Sequence, residues 1–376
     1  MEENKNKYSI KSGKFAVIET PEIKEVRGKE YMFYGKKNLF PEALIRLYDT
    51  SAIHHTCIQA IKDGIFGEGI ETVGGEYINT KGETIDDIFE KIDLDYTLYQ
   101  GFAINVIWNK GGDRIAEIYH LPFSNVRSGI PNEEDDKVEQ YFYSGDWNKL
   151  TKYPFTPYKA FDITETKGDN ASQIYYVNEY TPGNNVYPLP AYVGALQDIE
   201  LDARVSKFHN SNIENGLAPS LFLQFNNGMP TPEEQRTIYN DVNKTFSGEE
   251  NAGRFFLNFS DGADRGLTVT PIESANDDYY ITLEQRITSR ILTAHRITSP
   301  MLLGISTGGG FSSNADEIKV SYAHFESTVC APKRKKILTC YGYILKLAGY
   351  NVSLTVQPKR IVVEETTVNE NEIKNI

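Results

Sequence analysis

Few residues in this sequence have the types and spacing that chemistry requires, and each group lacks something essential. His54, His55 and Cys57 put three metal-ligand side chains within four positions. On one helix they point in different directions, whereas a tetrahedral zinc site needs its donors to converge. Cys57, Cys330 and Cys340 are too scattered for a disulfide framework, and no CxxC pair accompanies them. No metal and no cofactor are therefore expected. The segment Gly304 to Gly310 is glycine-rich but lacks the lysine and hydroxyl that complete a phosphate-cradling P-loop. Serine, histidine and aspartate are all present, yet there is no GxSxG elbow, no HExxH helix and no carboxylate cluster at usable spacing. The expectation is a protein that is not an enzyme. One charged group remains: Lys333, Arg334, Lys335 and Lys336, the only dense basic run. Its plain reading is a solvated helix face, and its sharper one an electrostatic contact surface.

Bulk properties narrow the classes further. The chain has 376 residues, 40% of them hydrophobic and 24% charged, which fits a soluble globular protein of two or three domains. Met1 to Lys7 is polar with no apolar stretch behind it, so no signal peptide is read there. No run reaches the roughly 18 apolar residues of a membrane span. A reducing cytoplasm is the expected place of synthesis. The net charge of -13, from 39 basic and 52 acidic residues, argues against a phosphate-neutralising DNA binder. Aromatic residues at 12%, with 24 Tyr and 19 Phe, suit large protein interfaces.

The elements follow from periodicity. Residues 1–37 read as an extended polar arm. Pro41 opens a helix over Glu42 to Tyr48, and Ser51 caps a second in which Ile58, Ile61 and Ile65 recur before Gly67. Thr84 and Asp87 start a third, running toward Gly101. The period then becomes two: Phe102 to Trp108 and Arg114 to His120 form a hairpin, and Val138 to Tyr143 and Ile174 to Val177 add strands. Glu133 to Asp136 reads as a solvated loop.

Thr181 to Pro190 holds three prolines and marks a domain boundary. A long helix follows from Ala191 to Asn212, with Tyr192, Leu196, Ile199 and Ala203 on one face and Leu201, Val205 and Phe208 on another; two apolar faces imply contacts on two sides. A small unit comes next: a strand at Ser220 to Phe225, a helix opened by Thr231-Pro232-Glu233-Glu234, and strands at Arg254 to Phe259 and Leu267 to Pro271. Leu283, Ile287, Ile291 and Ala294 define a second long helix, stopped at Ser299-Pro300. The loop Gly304 to Ser313 carries four glycines and four Ser/Thr residues. Asn314 to Ala348 reads as a third long helix with a kink or break at Pro332, and Val352 to Val356 as a strand.

This order of elements resembles phage portal proteins, the head-to-tail connectors of tailed bacteriophages. The words that carry the resemblance are Asn38-Leu39-Phe40-Pro41 through Gly67, Glu250-Asn251-Ala252-Gly253-Arg254, and HRITSPMLLG from His295 to Gly304 followed by Ser313-Asn314-Ala315-Asp316. The resemblance covers roughly residues 30–350 and implies a portal-like α+β fold. Its parts would be an arm and mixed α/β wing (1–187), a first stem helix (188–216), a small inserted α/β clip (217–276), a second stem helix (277–300), a channel loop (301–316), a long terminal helix (317–350) and a tail (351–376), with the helical crown minimal or absent.

The resemblance further implies a homo-oligomeric ring of roughly twelve subunits. That ring would sit at one capsid vertex of the virion, assembled in the host cytoplasm, as a conduit for double-stranded DNA during packaging and ejection. A separate packaging terminase would supply the force, and the ring would dock head-completion or adaptor proteins and capsid protein. Gly308, Gly309, Gly310, Phe311, Ser312 and Ser313 would line the channel, with Asn314 and Asp316 capping the next helix. In such a ring the run Lys333 to Lys336 becomes a basic belt, while the acidic remainder repels DNA. A tail or baseplate structural protein is the alternative from another class, and a nuclease or hydrolase the alternative enzyme.

Overall fold

The alternation that begins after Gly101 builds the central sheet. The protein is described by a computed structural model covering residues 21, 23–70, 77–164, 171–184, 186–214, 221–225, 230–246, 255–259, 267–271, 277–305, 315–350 and 354–359. Two short strands, β1 (Ile23–Lys24) and β2 (Phe33–Tyr34), pair antiparallel ahead of three helices: α1 (Phe40–Thr50), α2 (Ala52–Phe66) and α3 (Ile85–Tyr99). Then come β3 (Gly101–Trp108), β4 (Ile115–Leu121), β5 (Val126–Ser128), β6 (Gln140–Tyr143), β7 (Thr156–Ala160) and β8 (Ser172–Asn178). They form one six-stranded sheet in the order β4-β3-β8-β7-β6-β5. Every neighbouring pair is antiparallel except β7 and β8, which run parallel.

Strand β3 shows how sequence sets the layers. Phe102, Ile104, Val106 and Trp108 point to one face and join the main core with Ile88, Phe89 and Ile92 of α3. Ala103 points to the other and packs with Val126 and Ile174. A two-residue period with both faces buried is what a central strand requires. The helices start where their caps dictate. Ser51 Oγ accepts from His54 N at 3.2 Å, and Thr84 and Asp87 complete a reciprocal capping box on α3. Helix α2 ends at Gly67, whose φ of +57 lies in the left-handed region and whose missing Cβ makes room for Gln357 O.

The second half is helical around a small sheet. A 3-10 turn (Val193–Ala195) leads into α4 (Leu196–Glu214); then follow β9 (Leu221–Phe225), α5 (Pro232–Phe246), β10 (Phe255–Phe259), β11 (Leu267–Pro271) and α6 (Asp277–Ala294). Strand β9 is central, parallel to β10 and antiparallel to β11. After a 3-10 turn (Pro300–Leu303) come α7 (Ala315–Phe325), a π turn (Glu326–Cys330) and α8 (Ala331–Leu347). Among the described residues no helix is long and apolar enough to cross a membrane.

Several expectations need correction. The arm is not simply extended and polar over its whole length. Tyr31 and Tyr34 are buried, and the Tyr34 ring stacks on Tyr187 at 4.2 Å while its hydroxyl donates to Pro188 O. The third long helix, in contrast, stands as read: residues 315–347 are helical throughout, and the irregularity expected at Pro332 is the π turn just ahead of it. Strands β5 and β7 add to the strands expected from the alternation. Near the C-terminus residues 351–353 lie outside the described set, and Val356 makes only an isolated bridge to Ile70.

Candidate functional site

Helices α4 and α6 run antiparallel, joined by one ion pair and one histidine–carboxylate contact. Arg290 Nη1 lies 3.1 Å from Asp198 Oδ1 at the end nearest the sheet, and His209 Nε2 lies 3.2 Å from Glu284 Oε1 further out. Eleven residues separate Asp198 from His209 on α4, a rise of about 16 Å. The unit of β9, α5, β10 and β11 is inserted between the far ends. Burial along the pair is graded. Leu196 and Ile199 of α4 and Ile287, Ile291 and Leu292 of α6 belong to the main core, whereas Leu201 is 37% exposed, Phe208 44% and Ile281 53%. The first apolar face of α4 is thus covered by the chain itself where it meets the core, and on the second Leu201 and Phe208 are exposed while Val205 packs partly against the core.

At its inner end α6 stops at Ala294, earlier than Ser299-Pro300, because Arg296 takes a left-handed φ of +59. Ser299 Oγ then accepts from Met301 N at 3.3 Å, starting the 3-10 turn that Gly304 closes with a φ of +76. The loop beyond it is anchored at Ile305 on one side and Ala315 on the other. Gly308, Gly309, Gly310, Phe311, Ser312 and Ser313, with the capping residue Asn314, lie outside the described residues. Asp316 falls in the exposed first turn of α7.

A buried histidine pair fastens the base of α6 to α2. His54 Nδ1 and His295 Nε2 lie 2.9 Å apart, and Tyr192 packs on both rings at 4.5 and 4.9 Å. Burial pushes the His54 pKa down to about 3, with His55 adding to the effect. Burial, with help from His54 and Lys333, holds His295 well below the usual range. Both rings are neutral at pH 7, one donating to the other. His55 instead stacks on Tyr48 at the surface, so His54, His55 and Cys57 do not converge. Among the described residues no group of three His, Cys, Asp or Glu could hold a metal ion.

The basic run is not one surface. Arg334 is buried: Nε donates to Ile65 O at 2.8 Å, Nη2 to Gly64 O, and Nη1 to Glu326 Oε1 at 2.7 Å. It satisfies the final carbonyls of α2 and ties them to the π turn, so it leaves any basic belt. Lys335 is exposed. Lys336 lies 3.5 Å from Glu179 Oε1, and Lys333 places its ammonium over the Tyr96 ring at 5.8 Å. Lys333 and Lys336 line a cavity of about 430 Å³ together with Arg296, His295 and Glu179. Sequence reading missed Arg296 and Glu179, since neither stands in a local motif; the signal for Arg296 was its place just past a helix end.

Residues 81–326 match the family model described as phage portal protein. The chain is 27% identical over 143 residues to the "Probable portal protein" of Haemophilus phage HP1, covering 37% of this chain and 41% of that one. It is 24% identical over 222 residues to an uncharacterized protein of Rickettsia bellii, covering 58% of this chain and 52% of that one. The matched segments thus span about half the length of these curated relatives. Among solved structures, "Virion of native gene transfer agent (GTA) particle" matches with a TM-score of 0.53 at 15% identity, over 84% of this chain and 83% of that one. "Neck of native GTA particle computed with C12 symmetry" matches with a TM-score of 0.52 at 15% identity, over 83% and 82%. At that identity the likeness is one of fold. The family match, in contrast, runs from the residues before α3 through the sheet, the helix pair and the inserted unit into the π turn, the larger part of the chain, and the chain belongs to the phage portal protein family.

Proposed function

We propose that the protein is the subunit of a homo-oligomeric ring at one vertex of a virion, through which double-stranded DNA passes without sequence recognition. The observation that carries this reading is the helix pair with its open apolar side. Leu201 and Phe208 on α4 and Ile281 on α6 stand exposed on helices whose inner ends are fully packed. Such a face needs a neighbour, and a heterologous contact that closes produces a ring. The fold likeness to a particle neck solved with twelvefold symmetry supports roughly twelve copies. A net charge of -13 on each chain suits a passage that must not grip its cargo.

In this reading α4 and α6 are stem helices, residues 217–276 the clip that meets a packaging terminase and later head-completion proteins, and the sheet with α1 to α3 the wing facing capsid protein. Residues 304–313 line the channel, and the protein works without catalysis. Mass photometry and negative-stain imaging of the purified protein test the reading: closed rings are expected, and only monomers and dimers over a wide concentration range would refute it. Replacing Gly308, Gly309 and Gly310 with alanine is expected to leave rings intact while impairing genome packaging or retention. Normal packaging by that triple variant would remove the loop from the channel.

A further inference from the structure

The cavity of about 430 Å³ lies where α3 ends, α4 begins, α6 ends and α8 begins. Lys333 and Lys336 stand three residues apart on α8, hence on one face, and Arg296 follows the last turn of α6. Three cations thus meet one carboxylate of the described lining, Glu179. Its Oε1 already accepts the Tyr96 hydroxyl at 2.5 Å and faces Lys336 at 3.5 Å. Among the described residues neither Lys333 nor Arg296 forms an ion pair. The carboxylate behind Lys333 is Asp93, which is fully buried; burial raises its pKa well above the usual range, against the pull of Lys333 and Arg334. Burial thus works against the charged form of Asp93 beside the ammonium.

The uncharged groups of the wall are already engaged. Tyr192 Oη donates to Leu98 O at 2.8 Å, Gln100 Nε2 to Tyr96 O at 3.0 Å, and Thr328 Oγ1 to His324 O at 2.8 Å. What the cavity offers a ligand is therefore uncompensated positive charge in a concave, partly desolvated setting, where an ion pair is worth more than on an open surface. Lys333 registers that setting: burial brings its pKa down to about 8 against the pull of Asp93 and Glu179, and Arg296 adds to the fall.

We propose that this cavity is an oxyanion site, taking a phosphate or carboxylate group between Lys333 on its floor and Arg296 and Lys336 at its mouth. The oxyanion comes either from a free phosphate in solution or from a carboxylate side chain of a second copy of this chain. The site stands on the geometry of one chain and does not depend on the ring.

The test is a calorimetric titration of inorganic phosphate into the purified protein in a chloride buffer at pH 7, on dilute and on assembled protein. The variants are Lys333→Met, Arg296→Gln and, as control, the exposed Lys335→Met. Saturable binding near one phosphate per chain is expected. It should weaken at least about tenfold in Lys333→Met and Arg296→Gln and stay unchanged in Lys335→Met. Arg296 is exposed, so its variant remains informative if Lys333→Met misfolds. Binding in both dilute and assembled protein identifies a free anion as the ligand; binding that disappears on assembly identifies a neighbour's carboxylate. Absence of saturable binding in both forms, or binding that neither pocket variant weakens, overturns the proposal.

Discussion

The two ends of the α4–α6 pair differ in what they ask of their surroundings. At the inner end the apolar side chains are covered within one chain. Ile199, Ile287 and Ile291 are buried, and the neighbouring sheet holds even a fully buried guanidinium, that of Arg127. Its Nε donates to Asn38 Oδ1 at 2.7 Å, Nη1 to Ser124 O at 2.6 Å and Nη2 to Asn38 O at 2.8 Å; Glu42 Oε1 lies 3.1 Å from Nη2, and the Trp147 ring lies 4.9 Å away. Further out Phe208 and Ile281 are exposed, as is Leu201 on the side of α4 turned away from the core. One end is built to fold alone, and the other is built to be completed.

Breaking the inner end should therefore have the largest effect on stability. Arg127→Ala takes the donor away from Glu42 and from the carbonyls of Asn38, Ser124 and Val126. Removing one side of such a buried network costs on the order of 3–5 kcal/mol. Urea unfolding followed by tryptophan fluorescence should show a loss of stability of that size, and a loss below about 1 kcal/mol would mean that water replaces the guanidinium. Breaking the outer end should do the reverse. Phe208→Asp or Ile281→Asp should leave the subunit's unfolding midpoint nearly unchanged but raise the concentration needed for assembly by about tenfold or more, as expected when charge enters an apolar contact. Sedimentation over a concentration series would separate the two effects. Unaltered assembly would show that this face is not a subunit contact.

The same contrast explains what the sequence made legible. Strands β10 and β11 and helix α6 lie within a few residues of the reading because their patterns are local: alternation between turns, or apolar residues at Leu283, Ile287 and Ile291. Strand β7 was hidden by Pro157, which lacks an N–H yet sits opposite Phe142 in the ladder, and β7 meets β8 through two residue pairs only. The burial of Tyr31 and Tyr34 depends on partners such as Tyr187, about 150 residues away. Arg334 looked like part of a solvated run because its real partners, the carbonyls of Gly64 and Ile65, are set by tertiary packing and not by spacing. Candidate chemistry was hardest to read, since the cavity draws its charges from the end of α6, the end of β8 and α8, far apart in sequence.

The histidine pair gives the inner end a pH dependence of its own. In the unfolded chain both imidazoles titrate near pH 6.5. In the folded chain His54 holds out to about 3 and His295 also lies well below its ordinary value. The stability they contribute is complete above about pH 6.5 and is lost as the pH falls, at up to about 1.4 kcal/mol per pH unit for each ring, because only the unfolded state takes up protons. Unfolding at pH 7 and pH 5 should differ accordingly. His54→Asn with His295→Gln, which places amide nitrogens near Nδ1 and Nε2, should flatten that difference. An unchanged slope in the double variant would assign the acid sensitivity to other groups.

Asp93 carries the smallest effect and the opposite sign, which makes it a clean counterpart to the histidines. Its Oδ1 accepts from Thr97 Oγ1 at 3.3 Å, while its Oδ2 is buried with no hydrogen-bond partner in the described structure. Burial outweighs the attraction of Lys62, Lys333 and Arg334 and holds the carboxyl protonated well above its ordinary range. The unfolded chain ionises Asp93 near pH 3.9, so between that value and the folded pKa each pH unit favours unfolding. Asp93→Asn cannot ionise and should raise stability, by more at pH 8 than at pH 5. Urea unfolding of both proteins at the two pH values measures the difference. A variant destabilised equally at both would mean that Asp93 is ionised and paired with Lys333. That result would also supply the counter-ion whose absence leaves the nearby cavity positively charged, so this substitution tests the core and the oxyanion site together. The sign of the pH dependence alone decides between a proton on Asp93 and an ion pair with Lys333, because only the protonated carboxyl makes the folded state lose ground as the pH rises.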